Sequence, residues 1–172
     1  MRKMNKRSGY LPRYKRCFIC GDRKVNPFSM SIRFYWDGEK IDTVICPHDY
    51  YMGFDKIVHG GVQTALMDEA MGWAITMEIG TFVLTRKLSV EFLCPMITNK
   101  EYRLIARATK HTKRISYAEG RIIDKSTDKV VAEAEGTFFR MKDEQARQVN
   151  DYLIYQPGDV GCLFKRTSEK CG

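Results

Sequence analysis

The spacing of apolar positions changes period along the chain, and each change predicts an element. From Ser29 to Trp36 and from Lys40 to Cys46 the residues are largely β-branched or aromatic, and Asp37-Gly38 joins the two runs. An Asp-Gly pair between such runs predicts a β-hairpin, because it accepts the positive φ of a tight turn. Pro47 to Val58 reads as a loop. Val62, Leu66, Trp73 and Met77 then recur at helical spacing, while Ala65, Met67, Ala70, Met71, Ala74 and Ile75 fill almost every other side. A helix that is apolar nearly all round is a buried helix. After Gly80 the period returns to two. Phe82, Leu84, Leu88, Val90 and Phe92 alternate with Thr85, Lys87, Ser89 and Glu91, which predicts a long strand ending at Cys94-Pro95.

Three further strands are expected, over Glu101 to Lys110, Arg114 to Asp124 and Lys129 to Met141. Short polar connections such as Lys125-Ser126-Thr127-Asp128 make them antiparallel neighbours. Their apolar faces are built from small residues: Ala106 and Ala108, Ala118 and Gly120, then Ala132, Ala134 and Gly136. Small residues leave room for something thick, and the buried helix is the thick element available. The expected class is α+β, with element order ββαββββ and an antiparallel sheet wrapped around one long central helix. That arrangement is the hotdog fold. Residues 17–141 would form this domain, 1–16 a basic N-terminal tail, and 142–172 a weakly structured appendage opening with a short helix from Asp143 to Val149.

Length and composition agree with one globular domain. The chain has 172 residues, of which 44% are hydrophobic and 29% charged. No apolar run has the length of a membrane span and no secretory h-region opens the sequence, so a cytoplasmic location without membrane attachment is the expectation. The formal charge of +8 would suggest nucleic acid if it were spread over the fold. Arg2, Lys3, Lys6, Arg7, Arg13, Lys15 and Arg16 carry it instead, and removing those seven from +8 leaves +1. A solvated tail is the reading, and a nucleic-acid partner is not expected. The six cysteines read as reduced thiols. Cys17 and Cys20 with Cys46 and His48 offer four zinc ligands in an unfamiliar spacing, so buried thiols without metal are the preferred reading.

Chemistry concentrates at the buried helix. His59-Gly60-Gly61 precedes it, and two glycines are poor choices there if helix stability alone mattered. A helix N-terminus has unpaired N–H groups at the positive end of a dipole, and bare backbone lets a carbonyl oxygen approach them as an oxyanion hole. Asp68 lies in the same apolar helix beside Glu69, where an ionised carboxylate is costly unless it faces a polar cleft or a partner. Asp68 is the preferred functional acid; a structural ion pair at Asp68, with Glu69 as the functional acid, is the alternative. His59 suits loop anchoring better than proton transfer. Gly61 and Asp68 are seven residues apart, roughly 10 Å at helical rise, so they cannot touch one carbonyl group. Two antiparallel central helices related by a two-fold axis would remove the conflict by bringing Gly61 of one copy to Asp68 of the other.

His59-Gly60-Gly61, Leu66, Asp68 and Glu69 in this spacing, with Cys17-Phe18-Ile19-Cys20-Gly21 and Asn26-Pro27 ahead of them, resemble the PaaI-like and Them-type acyl-CoA thioesterases. The resemblance covers about Cys17 to Met141. It implies hydrolysis of an acyl-CoA thioester by a homodimer or a dimer of dimers, with no metal or redox cofactor and coenzyme A only as part of the substrate. It implies Asp68 as the catalytic base or nucleophile, Gly61 as the oxyanion donor, His59 and Gly60 as shapers of the loop, and Thr85 as the residue that helps hold water. Gly60, Glu69, Lys87 and Ser89 are the expected substrate contacts, with Arg103 and Arg107 as further candidates for the CoA phosphates. A non-catalytic acyl-CoA-binding regulator and a hotdog enoyl-CoA hydratase or dehydratase are the rival functions.

Overall fold

A computed structural model describes residues 8–160. In chain order these form β1 (Gly9–Tyr10), β2 (Arg13–Tyr14), β3 (Tyr35–Trp36), β4 (Ile41–Ile45), a 3-10 turn (Asp49–Tyr51), β5 (Met52–Phe54), β6 (Ile57–Val58), α1 (Gly60–Ile79), β7 (Val83–Phe92), β8 (Tyr102–His111), β9 (Ile115–Asp124), β10 (Val130–Arg140), α2 (Asp143–Asp151) and β11 (Leu153–Ile154).

Helix α1 starts where the His59 side chain caps the Gly61 N–H and stops at Gly80, whose φ of 71° suits the left-handed position that ends helices. Leu66, Met67, Ala70, Met71, Ala74 and Ile75 are all fully buried along one half of the helix, and the opposite flank with Ala65, Asp68 and Gly72 is half-buried. Seven antiparallel strands pair in the order β1-β3-β4-β8-β9-β10-β7, and α1 packs chiefly on β8 and β9. The register explains how it fits. Ala106, Gly120, Ala134 and Val90 are consecutive cross-strand partners, as are Ala108, Ala118, Gly136 and Leu88. These rows of small residues make a shallow floor under the helix. A Cβ built at Gly120 would lie 3.4 Å from Met71 Cγ and 3.7 Å from Met67 Cβ.

The four long strands lie where the alternation predicts them. The first hairpin is shorter: Tyr35–Trp36 is strand, but 29–34 is not. The N–H groups of Met30 and Ile32 go to the carbonyls of Phe18 and Ile19, and that of Tyr35 goes to Thr43 Oγ1. Ser31, at φ 57°, bends the segment away from the sheet. The expected loop over 47–58 contains the 3-10 turn and the small β5–β6 hairpin.

Both ends depart from expectation. Leu11 and Pro12 are buried, β1 joins the main sheet, and β2 pairs with β11 through Tyr14–Leu153 and Arg13–Ile154. Residues 8–16 are therefore part of the fold and not of a solvated tail, while Arg2, Lys3, Lys6 and Arg7 lie outside the described residues. The segment after Met141 likewise packs onto the fold, and the Val160 N–H donates to Tyr10 O at 2.8 Å. Ala146 and Leu153 belong to the core, so apolar burial anchors both ends in a common layer.

Two outcomes test these contacts. Gly120→Ala should be nearly neutral, since its methyl makes an ordinary contact, whereas Gly120→Leu overpacks the floor and should cost about 1–3 kcal/mol in a denaturant titration. Asp124 accepts from Ser126 N and Oγ at 2.8 and 2.7 Å and pairs with Lys100. The bond from Lys100 and those from Ser126 hold its carboxyl below the ordinary range. A depressed folded pKa gives stability that is fully present above the ordinary carboxylate value, near pH 4, and is lost as pH falls below it toward the folded value. Melting temperatures of the wild type and of Asp124→Asn should therefore differ at neutral pH and converge in acid.

Candidate functional site

Asp68 and Glu69 are neighbours on α1 but serve different surroundings. Asp68 Oδ1 accepts the hydroxyl of Thr85 at 2.6 Å. Glu69 Oε1 accepts from Cys20 Sγ at 2.9 Å and from Trp73 Nε1 at 3.3 Å. Both acids line a cavity of about 240 Å³ between one flank of α1 and the start of β7. Its remaining wall is mostly apolar, including Trp73, Phe82, Val83, Leu84, Phe138, Met141 and Val149, with Tyr14 and Leu153 from the paired chain ends. Burial pushes the Glu69 carboxyl above its ordinary value, against the pull of bonds from Cys20, Cys17 and Trp73.

Thr85 reaches Asp68 because β7 is irregular. Lys87 pairs with Thr137, and Thr85 pairs with the next residue of β10, Phe138, so Arg86 is an extra residue on the β7 side. One extra residue reverses the parity of a strand. Thr85 therefore turns toward the helix, whereas Lys87 and Ser89 line shallow depressions on the outer face of the sheet with Glu119 and Glu135. Lys87 and Ser89, expected as substrate contacts, do not share the cavity with Asp68. Arg103 and Arg107 are engaged on that outer face by Asp42 and Glu119.

At the helix start, the Gly61 N–H donates to His59 Nδ1 at 2.8 Å. His59 is thus an N-cap, in line with the anchoring role. The two glycines have separate steric reasons. A Cβ at Gly61 would come within 3.0 Å of the His59 ring, and one at Gly60 within 3.2 Å of Phe92. The expected oxyanion donor is therefore occupied by the imidazole, and a carbonyl oxygen has to displace that ring to reach it. A wider depression of about 720 Å³ opens beside His59, lined by Phe18, Phe28, Tyr50, Tyr51, Met52 and Val62 among others.

A single helix carries both Gly61 and Asp68 without interruption, so their separation of roughly 10 Å stands. One copy does not bring the two halves of the expected site together. Sequence reasoning also missed the association of Glu69 with Cys17 and Cys20. The thiols were visible as a C-x-x-C-G turn, and an acid inside an apolar helix was the signal that something would meet it.

Residues 55–131 match the model of the thioesterase superfamily. No curated protein matches the sequence. Among solved structures, zebrafish thioesterase superfamily member 2 is similar at a TM-score of 0.56 and 16% identity, over 59% of this chain and 74% of that one. Escherichia coli PaaI, from the phenylacetic acid degradation operon, is similar at 0.56 and 18%, over 60% and 73%. A Streptococcus mutans protein solved with acetyl-CoA bound is similar at 0.55 and 17%, over 60% and 82%. The chain thus has the hotdog fold, as PaaI does, and its segment 55–131 is similar to the thioesterase superfamily.

Proposed function

We propose that this protein hydrolyses an acyl-CoA thioester to the free acid and coenzyme A. The observation that carries the reading is the Asp68 carboxylate, held by the Thr85 hydroxyl at the wall of a mostly apolar cavity. A carboxylate so placed can take a proton from water as that water attacks the thioester carbonyl. The Thr85 hydroxyl fixes the carboxylate and leaves its second oxygen for the water. The negative charge that develops on the carbonyl oxygen needs donors, and the N-terminus of a central helix provides them once His59 yields the Gly61 N–H. Collapse of the tetrahedral intermediate breaks the C–S bond, and the leaving thiolate takes the proton held by Asp68, which frees coenzyme A as the thiol and restores the carboxylate. The steps use the chain's own residues and no redox cofactor. The Streptococcus mutans neighbour, solved with acetyl-CoA, supports a CoA ester as the substrate class.

The helix that supplies the donors belongs to a second copy in this reading. The separation of Gly61 from Asp68 requires it, and β7 supports it. That strand is ten residues long, lies at the end of the sheet order, and exposes Leu84 and Phe92. Long apolar edge strands are usually covered, and a partner chain can do so. The active species is then a homodimer or a dimer of dimers.

Thiol release from a panel of short, long and aromatic acyl-CoA esters tests the reading. Asp68→Asn should lower kcat by about 10²–10⁴-fold, the usual worth of a positioned base. Thr85→Ala should fall less, and Thr85→Ser should recover most of the rate. Tight binding of acyl-CoA with no thiol release would favour a regulator, and hydration of enoyl-CoA would favour a hydratase. His59→Ala removes the cap of α1 and should cost about 1 kcal/mol of stability, read from the denaturation midpoint. If that variant keeps its turnover, proton transfer by His59 is ruled out and its role is anchoring.

A further inference from the structure

Cys17, Cys20 and Glu69 place one sulfur, one sulfur and one carboxylate oxygen within 4.8 Å of one another. The donors come from two segments 49 residues apart, so their meeting is a property of the fold. The turn that carries the thiols is already shaped. The N–H groups of Ile19 and Cys20 point at Cys17 Sγ at 3.2 and 3.4 Å, and the Gly21 N–H donates to Cys17 O at 3.0 Å. A Cβ at Gly21 would lie 2.2 Å from that same oxygen, so the turn closes only with glycine. N–H groups directed at a sulfur stabilise its thiolate form, the form that ligates metals. Glu69 forms no ion pair among the described residues, although it is a carboxylate in the wall of a mostly apolar cavity. A bound cation would supply the missing positive charge.

We propose that Cys17, Cys20 and Glu69 bind one Zn²⁺ ion, with the fourth coordination position open to the cavity that holds Asp68 and Thr85. Two thiolates select a borderline-soft cation over magnesium or calcium. Tetrahedral zinc, with bonds of about 2.3 Å to sulfur and 2.0–2.2 Å to oxygen, spaces its ligand atoms at about 3.5–3.8 Å. The Cys20–Glu69 contact, at 2.9 Å, opens by roughly half an ångström on loading, since the ion replaces the S–H···O bond. The protons of Cys17 and Cys20 leave to solvent as the two sulfurs bond to the metal. Cys17 and Glu69 both line the cavity, which gives the ion its way in. Cys46 and His48, the other ligands considered from the sequence, are exposed and take no part. The site does not rest on the hydrolase reading, and its test needs no turnover.

The full chain, reduced and stripped with a chelator, is titrated with Co²⁺ and then with Zn²⁺. A near-ultraviolet thiolate-to-cobalt band should appear, saturate at one ion per chain and bleach on addition of zinc. Cys17→Ser and Cys20→Ser should each abolish it, and Glu69→Gln should weaken binding by roughly 10–100-fold or more. A variant with Ser at Cys46, Cys94, Cys162 and Cys171 should keep the band. Should the ligand variants fail to fold, alkylation of the wild type decides the matter: zinc should protect Cys17 and Cys20 while Cys46 and Cys94 react. No band in the reduced wild type, or protection confined to other cysteines, overturns the site.

Discussion

The structure depends on the contact between a long, largely apolar helix and a sheet whose inner face is made of small residues. The side of this twenty-residue helix that carries Leu66, Met67, Ala70, Met71, Ala74 and Ile75 is wholly apolar and must be covered, while the flank with Ala65, Asp68 and Gly72 stays half-buried. Rows of Ala and Gly on β8, β9 and β10 let its backbone come close to the sheet, and Met67 and Met71 fill the remaining space above Gly120. Tight seating is what makes polar groups on this helix consequential. A carboxylate on α1 has a restricted set of partners, and each partner is determined by which flank of the helix the residue occupies.

Three polar features of α1 are placed in this way. Its N-terminus meets His59 and the ring of Phe92, Asp68 meets Thr85 across the first residues of β7, and Glu69 meets the turn Cys17–Gly21. Asp68 and Glu69 share one cavity but do not share partners. The acid bonded to a hydroxyl has the environment expected of a base that handles water. The acid bonded to a thiol and an indole has the environment of a ligand or an anchor. The chain ends matter to both. Tyr14 and Leu153, which sit on the paired strands β2 and β11, form part of the same cavity wall.

A single copy carries Gly61 at the start of α1 and Asp68 near its middle, and does not bring them together. The strand β7 that carries Thr85 is one of the two edge strands of the sheet. Whatever covers β7 therefore lies close to the Asp68 carboxylate, which Thr85 of that strand holds.

The central helix and the four long strands were legible because burial imposes a period on sequence, 3.6 for a helix and two for a strand, and these elements are long enough to display it. The acid pair and the His-Gly-Gly start were legible because charge and bare backbone are conspicuous in an apolar helix. Other features were not periodic and stayed hidden. The extra residue at Arg86 alters the facing of Thr85 relative to Lys87 and Ser89, and alternation alone assigned all three to one face. Residues 8–16 read as part of a basic tail because 1–16 holds seven bases and no acid, yet Leu11 and Pro12 are buried. The meeting of Cys17 and Cys20 with Glu69 spans nearly fifty residues. Local sequence thus determined which elements form and which groups are unusual, because propensity and periodicity act over a few residues. Which unusual groups meet was decided only by the tertiary packing, because a bulge, a crossing helix and paired chain ends set distances that no local pattern encodes.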